Sequence, residues 1–130
     1  MAASSVSEID SAFAEAKRHG ANALMVSSDP FLHSRRAQIV ALAAQHGIST
    51  ISGGREWVTA GGLISYGNSI RDAYRRAGLQ TGRLLRGVKP TDLPIDRSTR
   101  FELAINLTTA KALGLTVPDK LLVAADEVIE

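Results

Sequence analysis

The stretch that most restricts what this chain can fold into is Gly61-Gly62-Leu63-Ile64-Ser65-Tyr66-Gly67, a glycine pair feeding a short apolar run that stops at Ser-Tyr-Gly. A run so short and so closely bounded fits a buried strand whose carboxyl end opens onto polar groups. Without a Cβ, Gly61 and Gly62 permit a tight entry, and Gly67 lets the chain leave in a conformation other residues resist. Ser65 and Tyr66 are the side chains left at the mouth of that strand.

Comparable short runs alternate with helical spacing along the whole chain. Residues 7–19 place Ile9, Ala12, Phe13 and Ala16 on one face, with Ser7 and Asp10 as a capping box and Gly20 as the stop. Ala23-Leu24-Met25-Val26 is a continuous apolar run, as expected of a parallel strand covered on both faces, and it ends in Ser27-Ser28-Asp29-Pro30. A second helix is expected between Pro30 and His46, with Leu32, Ile39, Val40, Leu42 and Ala43 inward and Gly47 closing it. Ile48 to Ile51 reads as the next strand, followed by a loop at Ser52-Gly53-Gly54 and a single turn around Trp57.

After Gly67, residues Ser69 to Arg86 predict a helix with Ile70, Tyr74, Ala77, Thr81 and Leu84 or Leu85 on one face and arginines on the other. Lys89 to Arg100 reads as an extended linker, Phe101 to Asn106 as a strand, and Thr108 to Leu113 as a short helix stopped by Gly114. From Pro118 onward a short helix and an edge element are both compatible with the pattern. Such alternation is the mark of an α/β fold, a three-layer αβα arrangement around a mostly parallel sheet. With 130 residues, 45% of them hydrophobic, the chain suffices for one cored domain over residues 1–130 and is too short for two ordinary ones.

In open parallel sheets ligands bind beyond the carboxyl ends of the strands, where loops converge and helix amino termini point N–H groups into the crevice. The ends expected to meet there carry Ser28 and Asp29, Arg55 and Glu56, and Ser65, Tyr66 and Gly67. Together they offer an anion, a guanidinium, hydroxyls and an aromatic face, which suit a small zwitterion or polar metabolite. Each also has an ordinary structural use. Asp29 before Pro30 is a standard helix N-cap, Arg55 and Glu56 can pair on a solvated loop, and Tyr66 can be a half-buried core residue. Trp57 reads as a packing anchor for its loop.

Other chemistries find little support. The absence of cysteine removes disulfide scaffolds, thiolate catalysis and cysteine-ligated metal sites. His19 and His46 each precede a helix-ending glycine, where the helix dipole favours them, and His33 has no metal-type partner at helical spacing. No Ser-His-Asp arrangement, phosphate loop or dinucleotide fingerprint can be assigned, so no catalytic residue, metal or cofactor is expected. The net charge of +2 and the arginines at 71, 75, 76, 83 and 86 read as a solvated face, not a nucleic-acid surface. The amino terminus lacks the basic and apolar regions of a secretory signal, and no window reaches the length of a membrane span, which as written predicts a cytoplasmic chain.

Taken together, Ala60 to Gly67, Tyr74-Arg75-Arg76-Ala77, Asp92-Leu93-Pro94 and Phe101 to Leu115 (FELAINLTTAKALGL) form an ordered set of motifs. On these the chain resembles the substrate-binding proteins of ABC transporters, in the branch often associated with tryptophan or tyrosine uptake. The likeness runs from the first helix to Ala125–Glu130 and matches only the carboxyl-terminal part of that family. It implies one lobe of a type I periplasmic binding protein, a small amino acid-like ligand held without catalysis, a permease as partner, and a periplasmic or membrane-anchored extracellular location. The family's Asp-Pro strand end faces the interlobe cleft, which places Asp29 there; Tyr66 would stack on the ligand, and Arg55 would meet a carboxylate. The helix at 69–86 would pack on the first lobe, and without that surface it predicts a homodimer through this helix or a repositioned helix. Ile64 stands where the family commonly has Met, and Asp96-Arg97-Ser98-Thr99 replaces a linker that usually includes proline.

A second reading of the same pattern is a stand-alone cytoplasmic interaction or signalling module of flavodoxin-like shape. Against a receiver-type version, Asp29 lacks supporting acidic neighbours, and Lys17, Lys89, Lys111 and Lys120 are wrongly placed.

Overall fold

A computed structural model describes residues 3–96 and 99–130. Arg97 and Ser98 of the atypical linker, and Met1 and Ala2 of the terminus read for a signal, lie outside the described residues. The chain runs α1 (Val6–Arg18), β1 (Ala23–Met25), α2 (Pro30–Ser34), α3 (Arg36–His46), β2 (Ser49–Ser52), α4 (Arg55–Thr59), β3 (Ile64–Asn68), α5 (Ile70–Leu85), a 3₁₀ turn at Pro90–Asp92, β4 (Phe101–Asn106), α6 (Leu107–Ala112), α7 (Asp119–Ala124) and β5 (Glu127–Ile129). The strands form one sheet in the order β1-β2-β3-β4-β5. All neighbours are parallel except β3 and β4, which run antiparallel with Tyr66 opposite Leu103 and Asn68 opposite Phe101. This is the expected α/β fold with a mostly parallel sheet.

Local chemistry shifts several expected boundaries. α1 starts earlier than its predicted capping box, because Ser5 rather than Ser7 is the N-cap, its Oγ accepting from Glu8 N at 3.3 Å. Glu8 reaches back to Ser4 N at 2.6 Å, and this bond holds its carboxyl below the usual range. The single helix expected between Pro30 and His46 is two, broken at Arg35, whose N–H closes onto the Phe31 and Leu32 carbonyls. The break lets Phe31 and Leu32, as well as Ile39, Val40 and Ala43, reach the same core. The unsettled carboxyl-terminal segment holds both elements, helix α7 and edge strand β5.

The core gathers Ile9, Phe13 and Ala16 of α1, Val26, Ile39, Val40 and Ala43 of α3, Ile48 and Trp57. In register, Thr50, Ser52, Ser65, Ala104 and Asn106 turn to this helix-covered face, and all are buried. The other face carries Met25, Ile51, Tyr66, Phe101 and Val128, all exposed, beside the fully buried Ile105. β1 is therefore not covered on both faces as its apolar run suggested: it is an edge strand, and Met25 is 79% exposed. α5 has no buried residue among those described, although its apolar stripe is as predicted.

Candidate functional site

The parallel strands β1, β2 and β3 deliver their carboxyl ends to one rim, and the antiparallel pairing of β4 with β3 brings the start of β4 to the same rim. There a cleft of about 990 Å³ opens, lined by residues 27–30, 53–57, 68–72, 74–75, 100, 102–104, 126–127 and His33. A volume of this size is at the upper end of what small-molecule sites enclose.

The floor is built of backbone. A Cβ on Gly67 would fall on the Gly53 carbonyl, one on Gly53 would stand 2.8 Å from Ser28 Oγ, and one on Gly54 would stand 2.8 Å from Glu56 Oε2. At 67 the obstacle is backbone, so only glycine lets the loop after β2 lie against β3, while at 53 and 54 the absence of a Cβ lets the Ser28 and Glu56 side chains fold over the loop. The sequence's glycine-rich punctuation thus sets the shape of the cleft.

Ser28, Asp29, Arg55 and Glu56 all line the cleft. Asp29 is the N-cap of α2, with Oδ1 accepting from Leu32 N at 3.0 Å, so the structural use anticipated for it is present and compatible with its exposed position at the rim. Arg55 does not pair with its neighbour Glu56. It grips Glu127, 72 residues away, in a two-pronged bond whose Nη2–Oε1 arm is 2.6 Å. That bond raises the Arg55 pKa and holds the Glu127 carboxyl below its ordinary range. Neither neighbour in sequence nor spacing announces this pair, because it depends on β5 lying alongside β4.

Ser65, Tyr66 and Gly67 are not brought into the lining. Ser65 is 2% exposed on the helix-covered face, and Gly67 lies beneath the Gly53 carbonyl. Tyr66, by strand alternation, points to the opposite face, where it stacks on Phe101 with ring centroids 5.6 Å apart. Trp57 is 4% exposed and belongs to the core, as its anchoring role required, with His33 edge-on to its ring at 6.1 Å.

The start of α5 contributes what sequence reading assigned elsewhere. Arg71, Asp72, Tyr74 and Arg75 line the cleft. Asp72 is bound by Arg75 at 2.9 Å and Arg76 at 2.8 Å, which lowers its pKa, the Arg75 bond most. Arg100 stands 3.8 Å from Glu102. Tyr74, read from the sequence as part of an apolar packing face, is 74% exposed here. The signal that could have located it is its place one turn after a strand end, where a helix first leaves the sheet. Among the described residues no cluster of His, Cys, Asp and Glu could hold a metal ion, and no helix is long and apolar enough to cross a membrane.

Solved structures resemble this chain over nearly its whole length. The chain superposes on an ABC domain from Streptococcus pneumonia in complex with L-Trp with a TM-score of 0.86 at 26% identity, covering 98% of this chain and 44% of that one. A conserved domain protein from Vibrio cholerae gives 0.78 at 22% identity, over 94% and 41%. A ligand-free, open substrate binding protein with adhesive properties from Clostridium difficile gives 0.69 at 20% identity, over 98% and 42%. The last two bear on the fold alone, and the chain spans under half the length of each neighbour. No curated protein matches. The family model described as "ABC transporter substrate binding protein" matches residues 1–129.

Proposed function

We propose, from the premise that this chain belongs to the ABC transporter substrate binding protein family, that it is a solute-binding lobe that takes an amino acid or similar small polar solute without bond chemistry. The observation that carries this reading is the polar cleft at the carboxyl ends of β1, β2 and β3, where Ser28, Asp29, Arg55 and Glu56 share one lining. The neighbour solved with L-Trp supports an amino acid as the ligand class. In this reading Asp29 and Glu56 receive an ammonium, Ser28 donates a hydrogen bond, and Arg55 with Glu127 braces the wall. Ser65 and Gly67 hold the floor. In a longer receptor the partner would be a membrane permease, and the location periplasmic or extracellular.

One lobe encloses only part of a solute, so affinity should be weak, about millimolar. The test is an NMR titration with L-tryptophan and other amino acids. Amide shifts confined to the cleft lining, including residues 27–29 and 53–56, are expected; no saturable shift with any amino acid overturns the reading.

α5 favours a second element of the proposal, self-association. Leu84 and Leu85 are both exposed at the carboxyl end of this 16-residue helix, outside the cleft lining, an apolar patch that water disfavours. A homodimer through this helix is the expected state of the isolated chain. Light scattering should give twice the chain mass, falling to one for Leu84→Glu combined with Leu85→Glu. A wild-type monomer rejects the dimer and leaves the cleft reading standing.

A further inference from the structure

We infer that Arg71 is the residue that binds the ligand's carboxylate, and that the cleft selects zwitterions whose ammonium lies against Asp29 and Glu56 and whose side chain lies on Tyr74. The inference rests on the solute-binding reading above and names the poles of that site.

The argument starts from which charges in the lining already have partners. Arg55 is engaged by Glu127, Arg75 by Asp72, and Arg100 stands beside Glu102. Arg71 is the arginine of the lining for which no carboxylate partner occurs among the described residues. A guanidinium already bonded to a carboxylate must lose that bond before it can take another, whereas Arg71 offers its planar fork at no such cost. Its surroundings favour an anion further. It sits in the first turn of α5, the positive end of a 16-residue helix, and the one acid of that turn, Asp72, is neutralised by Arg75 and Arg76.

The opposite charge collects on the loops after β1 and β2. Asp29 accepts one backbone N–H and has no cation within ion-pair distance among the described residues, and the same holds for Glu56, whose carboxylate folds over Gly54. Two unpaired acids, one after β1 and one after β2, and one unpaired arginine at the start of α5 make a cleft with two poles. A dicarboxylate would meet repulsion at the first pole, and a simple amine would leave the second unfilled. An α-amino acid satisfies both. Tyr74, one turn beyond Arg71 and 74% exposed, supplies the aromatic face that Tyr66 cannot, since Tyr66 is stacked on Phe101 outside the cleft.

The test compares L-tryptophan, tryptamine and indole-3-propionate by NMR titration of the intact chain, in wild type, Arg71→Ala, Arg71→Lys and Arg83→Ala. Wild type should prefer L-tryptophan to both analogues. Arg71→Ala should weaken L-tryptophan about tenfold and leave tryptamine unchanged, Arg71→Lys should restore part of the loss, and Arg83→Ala should match wild type. Because Arg71 is exposed, unchanged thermal unfolding is the check that the variant folds. L-tryptophan binding that Arg71→Ala does not alter, or a loss shared equally by tryptamine, overturns the role of Arg71 while the solute-binding reading stands. No binding of any of the three probes by wild type overturns the zwitterion site inferred here, while the solute-binding reading is decided by the wider amino acid titration.

Discussion

Gly67 lies so close to Gly53 that a methyl group on it would overlap the Gly53 carbonyl oxygen and come within 2.8 Å of the carbonyl carbon. The contact welds the loop after β2 to the last residues of β3, and it involves backbone on both sides, so no side chain can turn away to relieve a substitution. The loop it holds carries the cleft residues Gly53 to Trp57.

Gly67→Ala should therefore lower the unfolding free energy by about 1–3 kcal/mol, the range for overpacking a filled site. Gly78→Ala, in the interior of α5 with nothing within 4 Å of the added methyl, should instead gain about 0.5–1 kcal/mol. Urea denaturation of the two variants checks the contrast. Equal effects would show that the Gly53 contact does not constrain the fold.

Asn106 is 6% exposed and works in two directions: its Oδ1 accepts from Thr109 N at 2.9 Å to cap α6, and its Nδ2 donates to the Val58 carbonyl at 3.2 Å. Asn106→Ala should cost about 1–3 kcal/mol through the lost cap and an orphaned carbonyl. Asn106→Asp keeps the acceptor but sets a carboxylate against Val58 O, so it too should destabilise, and increasingly so above the aspartate's pKa. Thermal unfolding across pH separates the two losses.

The Arg55–Glu127 pair makes a pH-dependent contribution whose sign follows from the lowered Glu127 pKa. Unfolded, the carboxyl titrates near its ordinary value of 4.5; folded, it titrates lower. The pair's stabilisation is accordingly complete above that ordinary value and is lost as pH falls through the folded pKa. Glu127→Gln should flatten the acid side of the stability profile below about pH 4.5 and be most destabilising at neutral pH. High salt should shrink the difference, since the side chains are 52% and 32% exposed.

Trp57 is 4% exposed and joins the loop of the cleft to the core formed with α1 and α3. Trp57→Ala should cost about 3–5 kcal/mol, with Trp57→Phe recovering much of it. As the sole tryptophan, Trp57 also reports on itself: wild-type emission should be that of a buried indole and shift red in the same urea range in which helical circular dichroism is lost.

Much of the fold could be read from the chain because it rests on local chemistry. β4 occupies the predicted residues 101–106, α5 differs from its expected span by one residue at each end, and α6 and its glycine stop follow the pattern. These signals are periodicity and punctuation, which act within a turn or a strand. Errors fell where neighbours far along the chain decide the outcome. The apolar run at β1 does not reveal which residue lies at a sheet edge, so Met25 was expected inside and stands outside.

The same division holds for the candidate site. The sequence by itself determined that polar residues would end the strands and that glycines would shape the loops, since both follow from strand length and backbone freedom. It could not determine which of those residues share a space. Strand alternation sends Tyr66 to one face and buries Ser65 on the other; the antiparallel placement of β4 and the parallel pairing of β5 bring Glu127 to Arg55; and the departure of α5 puts Arg71 and Tyr74 at the rim. Those outcomes depend on register and strand order, which arise from packing across the whole chain, and only the tertiary structure decided them.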